Sequence, residues 1–155
     1  RDGVRTPMQW DDSPTAGFCP PGVTPWLPVN EDRVTANVAA QRDDPDSLLS
    51  LYRQLLRVRR ERPALHGGRL DLVPGAPKGA VAWLRSDGDE RIVVAANLSD
   101  HRVEVPLGES SPEVLVATDR GVRLGVDAAP PGPRVHLPPH SAAVVDLGGA
   151  GDRAT

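Results

Sequence analysis

The sequence predicts an α+β chain made of a long irregular loop, one amphipathic helix and then an antiparallel β-sandwich. Three observations predict it. Over residues 1–43, Pro and Gly recur at short intervals (Pro14, Gly17, Pro20, Pro21, Gly22, Pro25, Pro28), which leaves no room for a long regular element. One stretch, residues 45–62, repeats apolar side chains every three or four positions. From Gly67 onward, short β-prone segments alternate with turn residues and show no helical period.

Size and charge narrow the class. With 155 residues the chain can hold one domain with a real core plus an attached segment, and it is far below the roughly 250 residues of a closed barrel of alternating strands and helices. A net charge of −3, with scattered Arg, gives no basic face for nucleic acid. The longest apolar run, residues 92–96, is too short to cross a bilayer. Cys19 is the single cysteine, so no intrachain disulfide framework is possible. A single unpaired cysteine fits a reducing compartment, and a cytoplasmic location is expected.

The opening segment, Arg1-Asp2-Gly3-Val4-Arg5-Thr6-Pro7-Met8-Gln9-Trp10-Asp11-Asp12, has neither helical nor strand period. Two Arg, three Asp, a Gln and a Trp in twelve residues read as a structured polar loop. Phe18, Trp26, Leu27 and Val29 follow within the Pro-rich stretch. Apolar residues at that density need a surface to pack on, and so long a loop implies a scaffold that holds it.

Asp44-Pro45-Asp46-Ser47 predicts a helix start: Asp44 as the cap, Pro45 at the first helical position, Asp46 at the positive end of the dipole. Leu48, Leu49, Tyr52, Leu55 and Leu56 form one stripe, and Pro63 stops the helix after roughly five turns. Strands are predicted over residues 69–73, 80–85, 91–98, 102–105, 113–117, 122–124, 134–137 and 142–147. Asp87-Gly88-Asp89 marks a tight hairpin, and residues 128–133 read as a Pro/Gly connection. Short strands at this spacing without intervening helices indicate a sandwich or barrel.

Four blocks then carry a resemblance. The opening motif, Ala16-Gly17-Phe18, Pro25-Trp26-Leu27-Pro28-Val29-Asn30 with Asn37-Val38, and Asp44-Pro45 before the helix are similar, in order and spacing, to the oligo-1,6-glucosidase and α-glucosidase branch of glycoside hydrolase family 13. The match is specific over residues 1–65 and loose from 67 to 147. It implies that residues 1–65 are the loop after the eighth strand and the last helix of a truncated (β/α)8 catalytic barrel. Residues 66–149 would be the C-terminal antiparallel β-sandwich domain, and 150–155 a disordered tail.

The resemblance also implies a retaining reaction, with one carboxylate as nucleophile and a second as acid/base. Those two and a third, sugar-binding carboxylate would precede Arg1, so no catalytic residue is assigned here and the polypeptide alone is expected to be inert. Arg1 is the one substrate-binding residue carried over. In the family an Arg here pairs with an upstream Asp to close the pocket around the terminal glucose, a task that suits a planar guanidinium. The implied partners are an oligosaccharide and the rest of the barrel. Sucrose isomerases and trehalose synthases use similar loops, so isomerisation or transglycosylation stays open. An independent carbohydrate-binding or structural sandwich module is the rival from another class.

Other candidates weigh toward structure. Arg5 and Asp11 are expected to brace their own loop, while Gln9 and Asp12 can either brace it or line the aglycone side of a pocket. Trp10 is expected to pack, Trp26 is open between stacking on sugar and packing, and Trp83 is expected in the core. Asp43, Asp44 and Asp46 read as helix-cap chemistry rather than a cation site. His66, His101, His136 and His140 lack zinc spacing and are expected at the surface. Cys19 has no neighbouring base to activate it. No cofactor or metal is expected.

Overall fold

The computed structural model describes residues 4–108, 110–128 and 131–148. The chain divides into two compact units, Arg1–Arg53 and Gln54–Thr155.

The first unit is the long loop, and it is ordered by hydrogen bonds rather than by regular elements. A 3-10 turn spans Glu31–Val34, with the Asn30 side chain at its start. A single turn of helix, α1 (Val38–Gln41), is capped by Asn37, whose Oδ1 accepts from Ala40 N at 2.8 Å. Asn37 is 4% exposed and its amide also donates to Arg33 O. One side chain thus closes both turns, which is what lets a Pro-rich segment hold a shape without a ladder.

Helix α2 (Leu48–Glu61) begins three residues later than its apparent start signal. Asp44 spends its carboxylate on Asp46 N (2.9 Å) in a local turn, and the cap is Ser47, whose Oγ accepts from Ser50 N at 3.2 Å. Residues 44–47 are therefore a lead-in turn, because Asp44 bonds its own neighbour before it can reach a helical N–H. Along α2, Leu48, Tyr52 and Leu56 are exposed, at 63, 60 and 56%, and lie four residues apart on one face. Leu49, Leu51, Leu55 and Val58 are half-buried, so the stripe read from sequence splits into two faces.

In the second unit, a 3-10 turn at Pro63–Leu65 precedes eight antiparallel strands: β1 (Arg69–Leu72), β2 (Ala80–Asp87), β3 (Glu90–Asn97), β4 (Val103–Pro106), β5 (Glu113–Ala117), β6 (Arg123–Ala128), β7 (Pro131–Leu137) and β8 (Ala142–Asp146). They form a five-stranded sheet in the order β1-β2-β3-β8-β5 and a three-stranded sheet in the order β4-β7-β6. The β2–β3 hairpin turns through Gly88 and Asp89, with Gly88 at φ 56°, where glycine carries no Cβ penalty.

The core lies between the sheets. Ala82, Val93, Ala95, Val103, Val105, Leu107, Val135, Leu137, Ala143, Val145 and Leu147 pack there, each 5% exposed or less. The two-residue period of a strand puts Ala82 and Leu84 inward, so Trp83 between them faces the other way, opposite Leu72, and is only half-buried. Trp83 is not a sandwich-core residue. Residues 131–133, expected as a connection, are the start of β7. They are tolerated there because β4 ends opposite Arg134, leaving Pro131 and Pro133 with a strand partner on one side only.

Asn97, 1% exposed at the end of β3, is the polar hub of this unit. Its amide donates to His101 O, Leu137 O and Pro138 O at 2.7, 3.2 and 2.8 Å, and its Oδ1 accepts from Ser99 N and Ser99 Oγ. At the opposite end of β3, Arg62 bridges Glu90 (3.5 Å) and Asp146 (3.1 Å), while the other Glu90 oxygen accepts from Ala64 N at 2.7 Å. That cluster ties the turn after α2 to β3 and β8.

Candidate functional site

The opening loop is the candidate site, and its geometry starts from a reversal at Ala16-Gly17. Both residues have positive φ, 52° and 63°. Ala16 is fully buried, and its carbonyl accepts from Trp10 N at 2.8 Å and Asp11 N at 3.4 Å. A Cβ on Gly17 would lie 2.6 Å from the Asp11 carboxylate, so glycine is required by both conformation and space. Ser13 completes the turn: its N–H donates to Asp11 Oδ1 (3.0 Å), its Oγ accepts from Gly17 N (3.0 Å), and its carbonyl accepts from Arg33 Nε (3.0 Å).

The motif is then fastened to α1. Val38 N donates to Gln9 O at 3.0 Å and Ala39 N to Trp10 O at 2.9 Å, while Gln9 Nε2 donates to Ala36 O. Between Thr6–Gln9 and the side chains of Asp32, Asn37 and Gln41 lies a recess of about 290 Å³. Gln41 is itself committed, accepting from Leu49 N at 3.1 Å.

Each expected residue now has a place. Asp11 braces the loop. The Ser13 hydroxyl and then the Ser13 N–H hold its carboxyl below the ordinary range, so it is ionised at neutral pH and unsuited to donate a proton. Gln9 braces as well. Arg5 does not: it is exposed and makes no hydrogen bond or ion pair with another described residue. Asp12 is exposed. Trp10 and Phe18 are half-exposed, at 50 and 53%, and Trp26 is 98% exposed, so Trp10 packs only in part. Arg1 lies outside the described residues, as does the segment 150–155.

Elsewhere, His136 corrects its surface assignment. It is 8% exposed, its Nδ1 stands 3.2 Å from Glu104 Oε1, and its Nε2 lies where a Cβ on Gly125 would be. His101 sits beside Asp100, whose carboxyl is lowered by the hydrogen bond to that imidazole. Cys19 Sγ is 3.4 Å from Val23 O. Among the described residues, no three His, Cys, Asp or Glu side chains converge to hold a metal ion. No helix among them is long and apolar enough to cross a membrane. Among the described residues the loop therefore offers shape and hydrogen bonding, with the Asp11 carboxylate committed to Ser13.

Residues 1–68 match the family described as alpha amylase, catalytic domain, and residues 67–144 match the domain of unknown function DUF3459. A probable alpha-glucosidase of Rhizobium meliloti is 38% identical over 115 residues, covering 72% of this chain and 20% of that protein. An oligo-1,6-glucosidase of Parageobacillus thermoglucosidasius is 38% identical over 100 residues, covering 64% of this chain and 17% of its own length. Among solved structures, an isomaltulose synthase from Klebsiella sp. LX3 superposes with a TM-score of 0.78 at 30% identity, covering 94% of this chain and 25% of that one. The chain spans about a fifth of the length of the curated relatives it matches. The loop and helix that end an α-amylase-type barrel, followed at once by a DUF3459 β-sandwich, place this chain in glycoside hydrolase family 13, the α-amylase family.

Proposed function

We propose that this chain is the C-terminal portion of a retaining α-glucosidase acting on short α-glucosides such as isomalto- or malto-oligosaccharides. The observation that carries the proposal is the unbroken order of barrel end and sandwich, together with relatives named alpha-glucosidase and oligo-1,6-glucosidase. Residues 1–65 then serve as the last loop and helix of the catalytic barrel, and 66–149 as the C-terminal domain. The nucleophile and acid/base belong to barrel strands that precede Arg1, and the polypeptide described here is inactive alone. In the complete enzyme Arg1 pairs with an upstream Asp and closes the pocket around the terminal glucose. The exposed Leu48, Tyr52 and Leu56 face of α2 and the exposed Trp26 pack against the remainder of the barrel. The enzyme works in the cytoplasm, a reading that the lone free cysteine of this chain supports.

A second reading has its own support: the solved structures that superpose include isomaltulose and trehalulose synthases at 30–31% identity. On that reading the same loop serves a sucrose isomerase. Two assays separate the possibilities. The chain alone should leave a chromogenic α-glucoside intact, and turnover above a buffer control refutes its dependence on missing carboxylates. Joined to the barrel encoded upstream, it should release glucose from isomaltose or maltose. Conversion of sucrose to isomaltulose without such hydrolysis would establish the isomerase reading instead.

A further inference from the structure

A pocket of about 250 Å³ opens in the sandwich where β1, β2, β3 and the segments after β4 and β8 meet. Its walls include Val73, Leu84, Val93, Leu107 and Leu147, and among the described residues Arg91 is the one charged residue of its lining. The position of Arg91 follows from register. It pairs with Ser86 and precedes Val93 by two residues, so it shares the inward face, while Glu90 and the fully buried Ile92 on either side lie on the opposite face of the sheet. On the same face the register places Asp71, which is engaged by Arg69, while Glu90 and Asp146 lie on the opposite face and are engaged by Arg62. Arg91 is half-buried and makes no side-chain hydrogen bond or ion pair with another described residue.

With no counter-ion among the described residues, the half-exposed Arg91 guanidinium at the edge of an apolar cavity is free to take an anionic group. The walls specify the rest of the ligand. Among the described residues they hold no aromatic platform and no polar side chain other than Arg91, so a saccharide would lose its water hydrogen bonds there without replacement. The volume is also below the 300–1,000 Å³ or so of drug-sized sites, which suits a small, slim molecule.

We propose that this pocket binds a short straight-chain carboxylate, with its alkyl chain among Val73, Leu84, Val93, Leu107 and Leu147 and its carboxylate forked on Arg91. The site is separate from the opening loop and does not depend on which sugar the enzyme handles.

The test uses the chain as it stands, titrated with butanoate, hexanoate and octanoate and followed by calorimetry and by backbone amide shifts. Binding should saturate, with shifts centred on Val73, Val93, Leu107 and Leu147. Each added methylene should strengthen binding about four-fold until the pocket is full. Arg91→Gln, checked for an unchanged melting curve, should weaken octanoate about ten-fold or more while leaving 1-octanol unaffected. Should Arg91→Gln unfold the chain, Pro74→Trp, at an exposed position of the lining, should block all three acids. The proposal is overturned by absent saturation, by equal octanoate binding in Arg91→Gln, or by shifts centred instead on Leu48, Tyr52 and Leu56.

Discussion

Gly67 and Gly68 are neighbours in sequence, and the structure predicts opposite outcomes when each becomes Ala. A Cβ on Gly68 would stand 2.6 Å from Ser86 O, 2.7 Å from Ala64 O and 3.0 Å from Ala64 Cα. All three are backbone atoms, one on β2 and two in the turn after α2, so no rotamer change relieves the clash. Gly68 O also accepts from Arg85 Nη2 at 3.0 Å, which any displacement of this backbone would strain. Overpacking of this kind costs about 1–3 kcal/mol, and movement of two carbonyls places Gly68→Ala toward the upper end. A Cβ on Gly67 meets nothing within 4 Å, and Gly67 does not have positive φ. Gly67→Ala should therefore stabilise by about 0.4–1 kcal/mol through the unfolded chain. Thermal melts followed by Trp83 fluorescence, with Trp10 and Trp26 replaced by Phe, read the sandwich. At about 4–8 °C per kcal/mol for a domain of this size, the two variants should bracket the parent with a gap of 5 °C or more. Equal midpoints, or a Gly68→Ala midpoint at or above that of the parent, would refute the steric argument.

Three further outcomes follow from the same reasoning. Asn97→Ala should destabilise the sandwich by about 2–4 kcal/mol in urea titration, because the Leu137 and Pro138 carbonyls lose their donor in a buried site. Asn97→Asp should be no better, since it presents oxygen to oxygen. The Asp11 carboxyl has a folded pKa below its unfolded one, so its contribution is present above the unfolded value and is lost as pH falls through the lower folded value. An NMR titration of that carboxyl should show the depression, and Ser13→Ala should raise the midpoint toward the ordinary range. Replacing Leu48 and Leu56 by Glu should remove concentration-dependent self-association of the chain in sedimentation velocity, whereas Arg53→Glu, on an already polar surface, should not.

Helix α2 and most strands were legible because their periods are local: Leu48, Tyr52 and Leu56 repeat at helical spacing, and residues 92–96 and 142–147 carry β-prone runs. What sequence reading missed was set by partners distant in the chain. Asp44 has every property of a cap, yet it bonds Asp46 and leaves the cap to Ser47. His136 alternates with Val135 and Leu137, which reads as a solvent-facing position, and is buried because the strand beside it offers Gly125 with no side chain while Glu104 flanks the other edge. Pro131 and Pro133 read as loop because nothing local announces that β4 stops short of them. At the candidate site, the ordered blocks of the opening motif identified the family. The side-chain braces of Ser13 and Asn37 were invisible, since each acts across three or four residues that carry no period.

The β5–β8 pairing contains a register shift between Val114 and Val116, which leaves Leu115 as an extra residue. β5 is one outer strand of the larger sheet, and the other, β1, is four residues long and carries the Arg69–Asp71 ion pair. A second chain seeking to extend this sheet would meet a broken ladder on one side and a short charged rail on the other. A domain whose sheet faces are this rich in Val and Ala thus guards itself against edge-to-edge growth. Deleting Leu115 would regularise the strand and open a template for polymerisation.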